Sequence, residues 1–224
     1  MKIDRIVRTR RKTISLIVHR DGTLEVRAPL RTSDRLITQF VNSKQDWITR
    51  KQALVLDNLK KLPVRNFARG ESFFFLGESY KLEITTRKKP LLNLDKTFLL
   101  SETCQEKQKA AQIFTAWYRE QARAILTDRV SFYTQEYGFK PQQIRITAAK
   151  TRWGSCSTRG SLNFTWRLIQ APLEIIDYVV VHELCHTKEH NHSRAFWMQV
   201  ARILPDYQKR RRWLKENGYL FQSF

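Results

Sequence analysis

The sequence predicts an α+β protein in which a β-rich N-terminal part precedes a domain with a mixed sheet and long helices. Three observations carry this prediction. Short alternating runs occur before residue 100, one long amphipathic pattern spans residues 102–137, and an apolar helical run over residues 175–181 leads into a cluster of histidines. We therefore expect a basic, β-rich subdomain over residues 1–100 and a second domain over residues 101–224.

Alternating apolar and polar residues predict the strands of the N-terminal part. Residues 13–28 read as a hairpin that turns at Asp21-Gly22, residues 73–84 as a second hairpin, and residues 97–100 as a further strand. Between the hairpins, apolar residues recur at helical spacing over residues 33–55, with Ser33 or Asp34 as the N-cap.

The second domain is predicted to begin with a long helix. Its apolar side runs from about Glu102 to Tyr137, and Gly138 supplies the end signal. Residues 143–147 and 160–167 then read as strands, joined through a turn at residues 153–156.

Composition bounds the protein class. The chain has 224 residues, of which 42% are apolar, enough for a packed core without disulfides. Its three cysteines, Cys104, Cys156 and Cys185, are odd in number and widely spaced, which favours a reducing compartment. The basic start has no apolar stretch of the signal-peptide kind, and no run approaches about 18 apolar residues. A cytoplasmic protein with no membrane association is expected.

Net charge is the second strong feature. The formal charge of +20 favours contact with polyanions, so nucleic acid or a nucleotide is a possible partner. No nucleic-acid recognition motif accompanies the charge, and solvated basic faces are the simpler explanation. The basic residues concentrate in three runs: Arg5, Arg8, Arg10, Arg11 and Lys12; Arg87, Lys88 and Lys89; and Lys209, Arg210, Arg211, Arg212 and Lys215.

Four of the five histidines fall between positions 182 and 192. His182, Glu183 and His186 form a His-Glu-x-x-His pattern, which on a helix places both imidazoles on one face, one turn apart. This spacing suits Zn²⁺, which binds neutral imidazole nitrogen at about 2.0–2.1 Å and keeps one position free for water in catalytic sites.

A third ligand has to come from beyond the motif helix. On an unbroken helix His190 would lie roughly 12 Å along the axis from His182, so the chain must turn after His186. Asn191 and Ser193 are cap candidates before the next apolar run, and His192 is therefore the best third ligand. Glu183 is placed to take a proton from a metal-activated water and pass it to a leaving amine.

Several short segments around the histidines resemble the YgjP-like zinc metallopeptidase family. They are Arg152-Trp153-Gly154-Ser155-Cys156-Ser157, Leu162-Asn163-Phe164-Thr165-Trp166-Arg167-Leu168, residues 177–186, Asn191-His192-Ser193 and Phe196-Trp197. The likeness covers about the last 80 residues tightly and the whole chain loosely.

The resemblance implies a zincin fold of the small gluzincin type, related to the SprT and WLM peptidases. Carried over by position, it makes His182, His186 and His192 the ligands of Zn²⁺ and Glu183 the catalytic base, with a polypeptide as substrate. Zincins have a backing helix, the role expected for residues 102–137. They also bind extended peptide along a strand at the sheet edge, and residues 161–167 look similar to that strand.

Other functions stay open. A metal-activated water also attacks phosphorus centres, so a metal-dependent nucleotide pyrophosphatase is the alternative enzyme. A non-enzymatic nucleic-acid-binding protein with structural zinc, completed by Cys185 as fourth ligand, is the other alternative, and Glu183 argues against it. Cysteine catalysis by Cys156 or Cys185 is disfavoured because no orienting partner can be named.

The residues that assist the metal are less well predicted. For stabilising a developing oxyanion, the sequence offers Arg152, His190 and Tyr207 without ranking them. As hydrogen-bond partners of the histidine ligands it offers Asp177, Glu189 and Asp206. The oligomeric state and the resident metal are not predicted.

Overall fold

The computed structural model describes residues 2–19, 21–62 and 64–222. Their fold is α+β, as predicted, with mixed sheets and six α-helices in the described part of the chain. The chain divides into two compact units, Met1–Pro63 and Val64–Phe224. In the described residues, no helix combines the length and the apolar character needed to cross a membrane.

The N-terminal unit consists of a three-stranded sheet and two helices: β1 (Arg5–Thr9), β2 (Ser15–Val18), β3 (Leu24–Pro29), α1 (Asp34–Ser43) and α2 (Gln45–Lys61). β2 and β3 are the antiparallel hairpin that the alternation predicts. β1 was not predicted, and it lies parallel to β3, which makes β3 the central strand.

The predicted helix over residues 33–55 is two helices. Lys44 has φ −114° and ψ 14°, and its N–H donates to the Asn42 and Val41 carbonyls, which ends α1 and starts α2. Ser33 caps α1, as expected, because its hydroxyl accepts from the Leu36 N–H. Neither glycine nor proline marks this break, so apolar spacing alone could not reveal it.

The C-terminal unit begins with four strands: β4 (Ser72–Phe75), β5 (Glu78–Thr85), β6 (Leu92–Leu94) and β7 (Phe98–Ser101). Their order in the sheet is β4-β5-β7-β6, with β5 parallel to β7 and the other pairs antiparallel. These strands group with the helices that follow, whereas the sequence pattern placed them in a subdomain ending at residue 100.

The long helix α3 (Lys107–Tyr137) crosses the C-terminal unit. It starts later than Glu102, because residues 102–104 form a 3₁₀ turn and the Glu106 carboxylate caps the helix through the Gln108 and Lys109 N–H groups. Gly138 ends it with φ 65°, the left-handed conformation that favours glycine. One face is buried at intervals of three or four residues: Ala110, Phe114, Tyr118, Ala122, Leu126, Val130 and Tyr133.

A second sheet lies beside the motif helix. Its strands are β8 (Gln143–Thr147), β9 (Gly154–Cys156) and β10 (Ser161–Thr165), in the order β8-β10-β9. Two expectations were wrong here. Residues 154–156 are a strand rather than part of a turn, and β10 is the central strand rather than the edge, because β8 pairs with it in parallel on its other side.

Three helices complete the unit: α4 (Leu173–Cys185), α5 (Arg194–Ile203) and α6 (Tyr207–Asn217). α4 packs against α3, α5, α6 and β9, so it lies at the centre of the unit. Its residues from Ile175 to Val181 are all buried, which explains why this helix is apolar around its circumference.

Candidate metal centre

The motif lies on the last turn of α4. The His186 N–H donates to the His182 carbonyl at 3.3 Å, and the Lys188 and Glu189 amides donate back to the Cys185 carbonyl. The chain therefore leaves the helix after His186, which agrees with the turn that the ligand geometry requires.

This turn brings the three predicted histidines together. Ring centroids are 4.9 Å apart for His182 and His186, 4.9 Å for His182 and His192, and 4.7 Å for His186 and His192. One nitrogen from each ring lies within 4.8 Å of the others. His190 is not part of the cluster.

The cluster fits a metal ion with imidazole ligands. The Nε2 atoms of His182 and His192 are 3.0 Å apart, close to the about 3.3 Å expected for two nitrogens bound tetrahedrally to one zinc. The Nδ1 atom of His186 contacts the Glu189 carbonyl oxygen at 2.9 Å, which leaves its Nε2 for the metal. Three neutral nitrogens leave a fourth position for water or substrate.

Burial and nearby positive charge favour the neutral form of two of the three histidines. Burial, with His186, His192 and Arg211 adding to it, lowers the pKa of His182 to about 3. Burial, with His186 and Arg211 adding to it, also lowers the pKa of His192. An unprotonated imidazole has a lone pair for a metal, so these shifts favour ligation over protonation at neutral pH.

Local contacts position His192. The Ser193 N–H donates to Asn191 Oδ1 at 3.0 Å, and Ser193 Oγ accepts from the Phe196 N–H at 3.3 Å, which caps α5. The His192 ring stacks on Trp197 with a centroid distance of 5.6 Å and an interplanar angle of 25°. Of the two cap candidates, Ser193 caps α5, whereas Asn191 forms the turn that precedes it.

Of the residues predicted to hydrogen-bond to the histidine ligands, only Glu189 does so. Glu189 contributes its main-chain oxygen to His186. Asp177 instead forms a two-bond ion pair with Arg129, and Asp206 pairs with Arg210. His182 Nδ1 is buried without a hydrogen-bond partner in the described part of the chain.

Glu183 and the candidate metal ligand His182 line the same cavity. The cavity, of about 160 Å³, is lined by Trp153, Gly154, Tyr178, Val179, His182, Glu183 and Leu214. Glu183 is only 6% exposed, and burial raises its pKa to about 8, opposed by the positive charge of Arg152. A carboxyl group in this setting exchanges a proton near neutral pH.

Gly154 lets β9 approach the Glu183 side chain closely. A Cβ atom at position 154 would lie 2.6 Å from both Cγ and Oε1 of Glu183. With alanine at position 154, the Glu183 carboxylate or strand β9 has to move. We therefore expect Gly154→Ala to lower turnover about 10- to 100-fold, while the metal content stays that of the wild type. Initial rates and elemental analysis of the same preparation test this. An unchanged rate would show that the contact has no catalytic importance.

Sequence reasoning missed three residues around the cluster. Tyr178 lies one turn before His182 on α4 and lines the cavity. Trp197 stacks on His192, and the Arg211 guanidinium lies 4.8 Å from the centre of the Trp197 ring. The four-residue spacing from Tyr178 to His182 could have predicted that Tyr178 lies on the same face of the helix. Nothing in the sequence distinguishes Arg211 from the other basic residues of its run.

The cysteines stay outside the cluster. Cys104 and Cys185 are buried, Cys156 is half-buried, and all three are free thiols. Burial raises the pKa of Cys185 to about 12, and burial with the nearby Glu183 raises the pKa of Cys156. Both thiols are therefore protonated at neutral pH, which disfavours a nucleophilic role. Among the described residues, neither thiol belongs to the candidate ligand cluster.

A helix with this motif and a third histidine after the turn is the arrangement of a metallopeptidase. Residues 12–217 match the family described as YgjP-like, metallopeptidase domain. The chain belongs to the YgjP-like metallopeptidase family. Among solved structures it is similar to the metallopeptidase zymogen abylysin of Pyrococcus abyssi, with 21% identity over 41% of this chain and 93% of that chain and a TM-score of 0.37. No curated protein matches the chain.

Proposed function

We propose that the protein is a zinc-dependent peptidase that hydrolyses peptide bonds at the site around His182. One observation carries the proposal: three histidine side chains converge on one point, and a buried carboxyl group lies in the cavity next to them. A purely structural metal site has no use for a buried acid beside its ligands.

His182, His186 and His192 would hold the metal. Zinc, when bound, supplies a Lewis acid that polarises a carbonyl and lowers the pKa of a water molecule to about 7. The ligands are oriented by Glu189 through its carbonyl and by Trp197 through stacking.

Glu183 would move the proton. It takes a proton from the attacking water as the water oxygen bonds to the carbonyl carbon, and it gives that proton to the amine nitrogen as the carbon–nitrogen bond breaks. Its burial against Gly154 holds the carboxyl in one place, and the raised pKa suits a group that both accepts and donates.

Strand β9 is the best place for an extended substrate. Within the described sheet it pairs only with β10, so its other edge has no strand partner there. The Ser157 N–H donates to the Ser161 carbonyl, and the Thr165 N–H donates to the Trp153 carbonyl. In an antiparallel pair, successive residues direct their main-chain N–H and C=O groups alternately towards and away from the partner strand. The main-chain groups of Gly154 and Cys156 therefore point away from β10. These groups can pair with a peptide laid alongside the motif helix.

A metal-dependent nucleotide pyrophosphatase remains the second candidate. Arg152 and Arg211 both act electrostatically on residues of the site, and two cations beside a metal also suit a phosphate substrate. The open strand edge favours the peptide, because a nucleotide has no use for it.

The test is a product analysis on the zinc-loaded full chain. The protein is incubated with a mixture of peptides and, separately, with the common nucleoside triphosphates, and the products are identified by mass spectrometry. We expect new peptide termini that disappear after chelation and return with added zinc. Release of pyrophosphate with intact peptides would move the assignment to the second candidate.

A further inference from the structure

One face of α6 is turned towards the motif helix. Tyr207, Arg211 and Leu214 are four and three residues apart, which places them on the same side of the helix. Leu214 lines the cavity that contains His182 and Glu183. Arg211, one turn before Leu214, is therefore directed to the same side.

Aromatic rings connect Arg211 to the third histidine. Its guanidinium lies 4.8 Å from the centre of the Trp197 ring, and Trp197 stacks on His192. Tyr207 stacks on Trp197 as well, at 5.3 Å and 19°. The guanidinium and the ring of the candidate ligand His192 therefore contact the same indole ring. This contact restricts the orientation of the planar guanidinium.

The guanidinium is available to a ligand. Within the described chain Arg211 forms no salt bridge with a carboxylate, and its side chain is exposed. The preceding Arg210 is occupied differently, since it pairs with Asp206 and donates to the Glu174 carbonyl. The basic run at the C-terminus is therefore not uniform.

We propose that Arg211 is a catalytic residue that binds the substrate oxygen on which negative charge develops. The proposal rests on the proposed function and ranks Arg211 above Arg152, His190 and Tyr207 for this task. Arg152 lines a different cavity, together with Thr147 and Asn163. Arginine donates up to five hydrogen bonds and does not release its proton in proteins, so Arg211 stabilises charge while Glu183 alone transfers the proton.

The test uses inorganic phosphate as a tetrahedral oxyanion and Co²⁺ as a visible probe of the site. The full-length wild type and the variants Arg211→Ala, Arg211→Lys and Arg212→Ala are loaded with Co²⁺, and phosphate binding is followed by the cobalt absorption bands at constant pH and ionic strength. Arg212 is the matched control, because it is an exposed arginine of the same run, about 100° away around the helix.

We expect Arg211→Ala to weaken phosphate binding about 10- to 100-fold, as for loss of a charge-assisted hydrogen bond, and Arg211→Lys to weaken it less. Arg212→Ala should bind as the wild type does. For a cleaved peptide, Arg211→Ala should lower kcat about 100-fold with little change in KM.

Each contrary result has its own meaning. Equal phosphate affinity in Arg211→Ala and the wild type, no phosphate binding to the wild type, or an equal loss in Arg212→Ala would overturn the role of Arg211 and leave the peptidase proposal standing. Failure of the wild type to take up Co²⁺ would overturn both. Unchanged Co²⁺ uptake by Arg211→Ala shows that the variant is folded at the site.

Discussion

Glu183→Gln is expected to lower peptide turnover about 100- to 10,000-fold, the range for loss of a general acid–base group, with the metal retained. Glutamine has nearly the same shape as glutamate but cannot accept the proton of the attacking water. The side chain is not part of the histidine cluster, so the ligands stay as they are. Initial rates of the zinc-loaded variant, together with zinc per chain by elemental mass spectrometry, measure both parts of the prediction.

Glu189→Gln is the matched control for this change. Glu189 lies six residues further along the chain and contributes its main-chain oxygen, not its carboxylate, to His186. Its amide variant should keep both metal and turnover. If Glu183→Gln were as active as Glu189→Gln, Glu183 would not be the base.

We expect His192→Ala to weaken zinc binding by more than about 100-fold. Loss of a residue that hydrogen-bonds to a metal ligand weakens binding roughly 10- to 100-fold, and this variant removes a ligand itself. Two histidines on one helix would remain, which is fewer than the three protein ligands of catalytic zinc sites. Competition with a chromophoric chelator measures the affinity, and turnover should fall at limiting zinc.

His190→Ala provides the comparison for His192→Ala. His190 is also exposed and lies two residues away, but its ring is outside the cluster. It should bind zinc as the wild type does. Equal affinity of the two variants, or a loss in His190→Ala alone, would require a different third ligand.

The convergence of the histidines was predictable because it depends on local geometry. Helical spacing places His182 and His186 on one face of the helix. A third ligand further along an unbroken helix could not reach the same metal ion, so the chain has to turn after His186. The capping residue Ser193 then identifies where the next helix starts. The family was predictable from the same short segments, and the family match confirms it.

The strand beside the site was not predictable in the same way. Residues 154–156 are Gly-Ser-Cys, with low β-propensity, and they form a strand only because β10 pairs with them. The position of β10 at the centre of its sheet depends on β8, about twenty residues earlier. Such pairing is a tertiary property, so the expectation drawn from the resemblance, with residues 161–167 as the edge strand, was wrong.

The direction of the charged side chains on α6 was the other feature that the sequence did not predict. The basic run over residues 209–215 predicts a solvated face, whereas Arg210 pairs with Asp206 and Arg211 lies over Trp197. Periodicity alone does not tell which face of a highly charged helix is covered. The position of Arg211 beside the site thus depends on how α6 packs against α4, which local sequence does not encode.

The most direct test of the three-histidine site is zinc X-ray absorption spectroscopy of the full chain loaded with one equivalent of metal. We expect a first shell of nitrogen and oxygen atoms at about 2.0–2.1 Å with imidazole scattering from three histidines, since His182, His186 and His192 are the only candidate cluster of three ligands in the described residues. A sulfur shell at about 2.3 Å, or imidazole scattering from fewer than three histidines, would contradict the site as described.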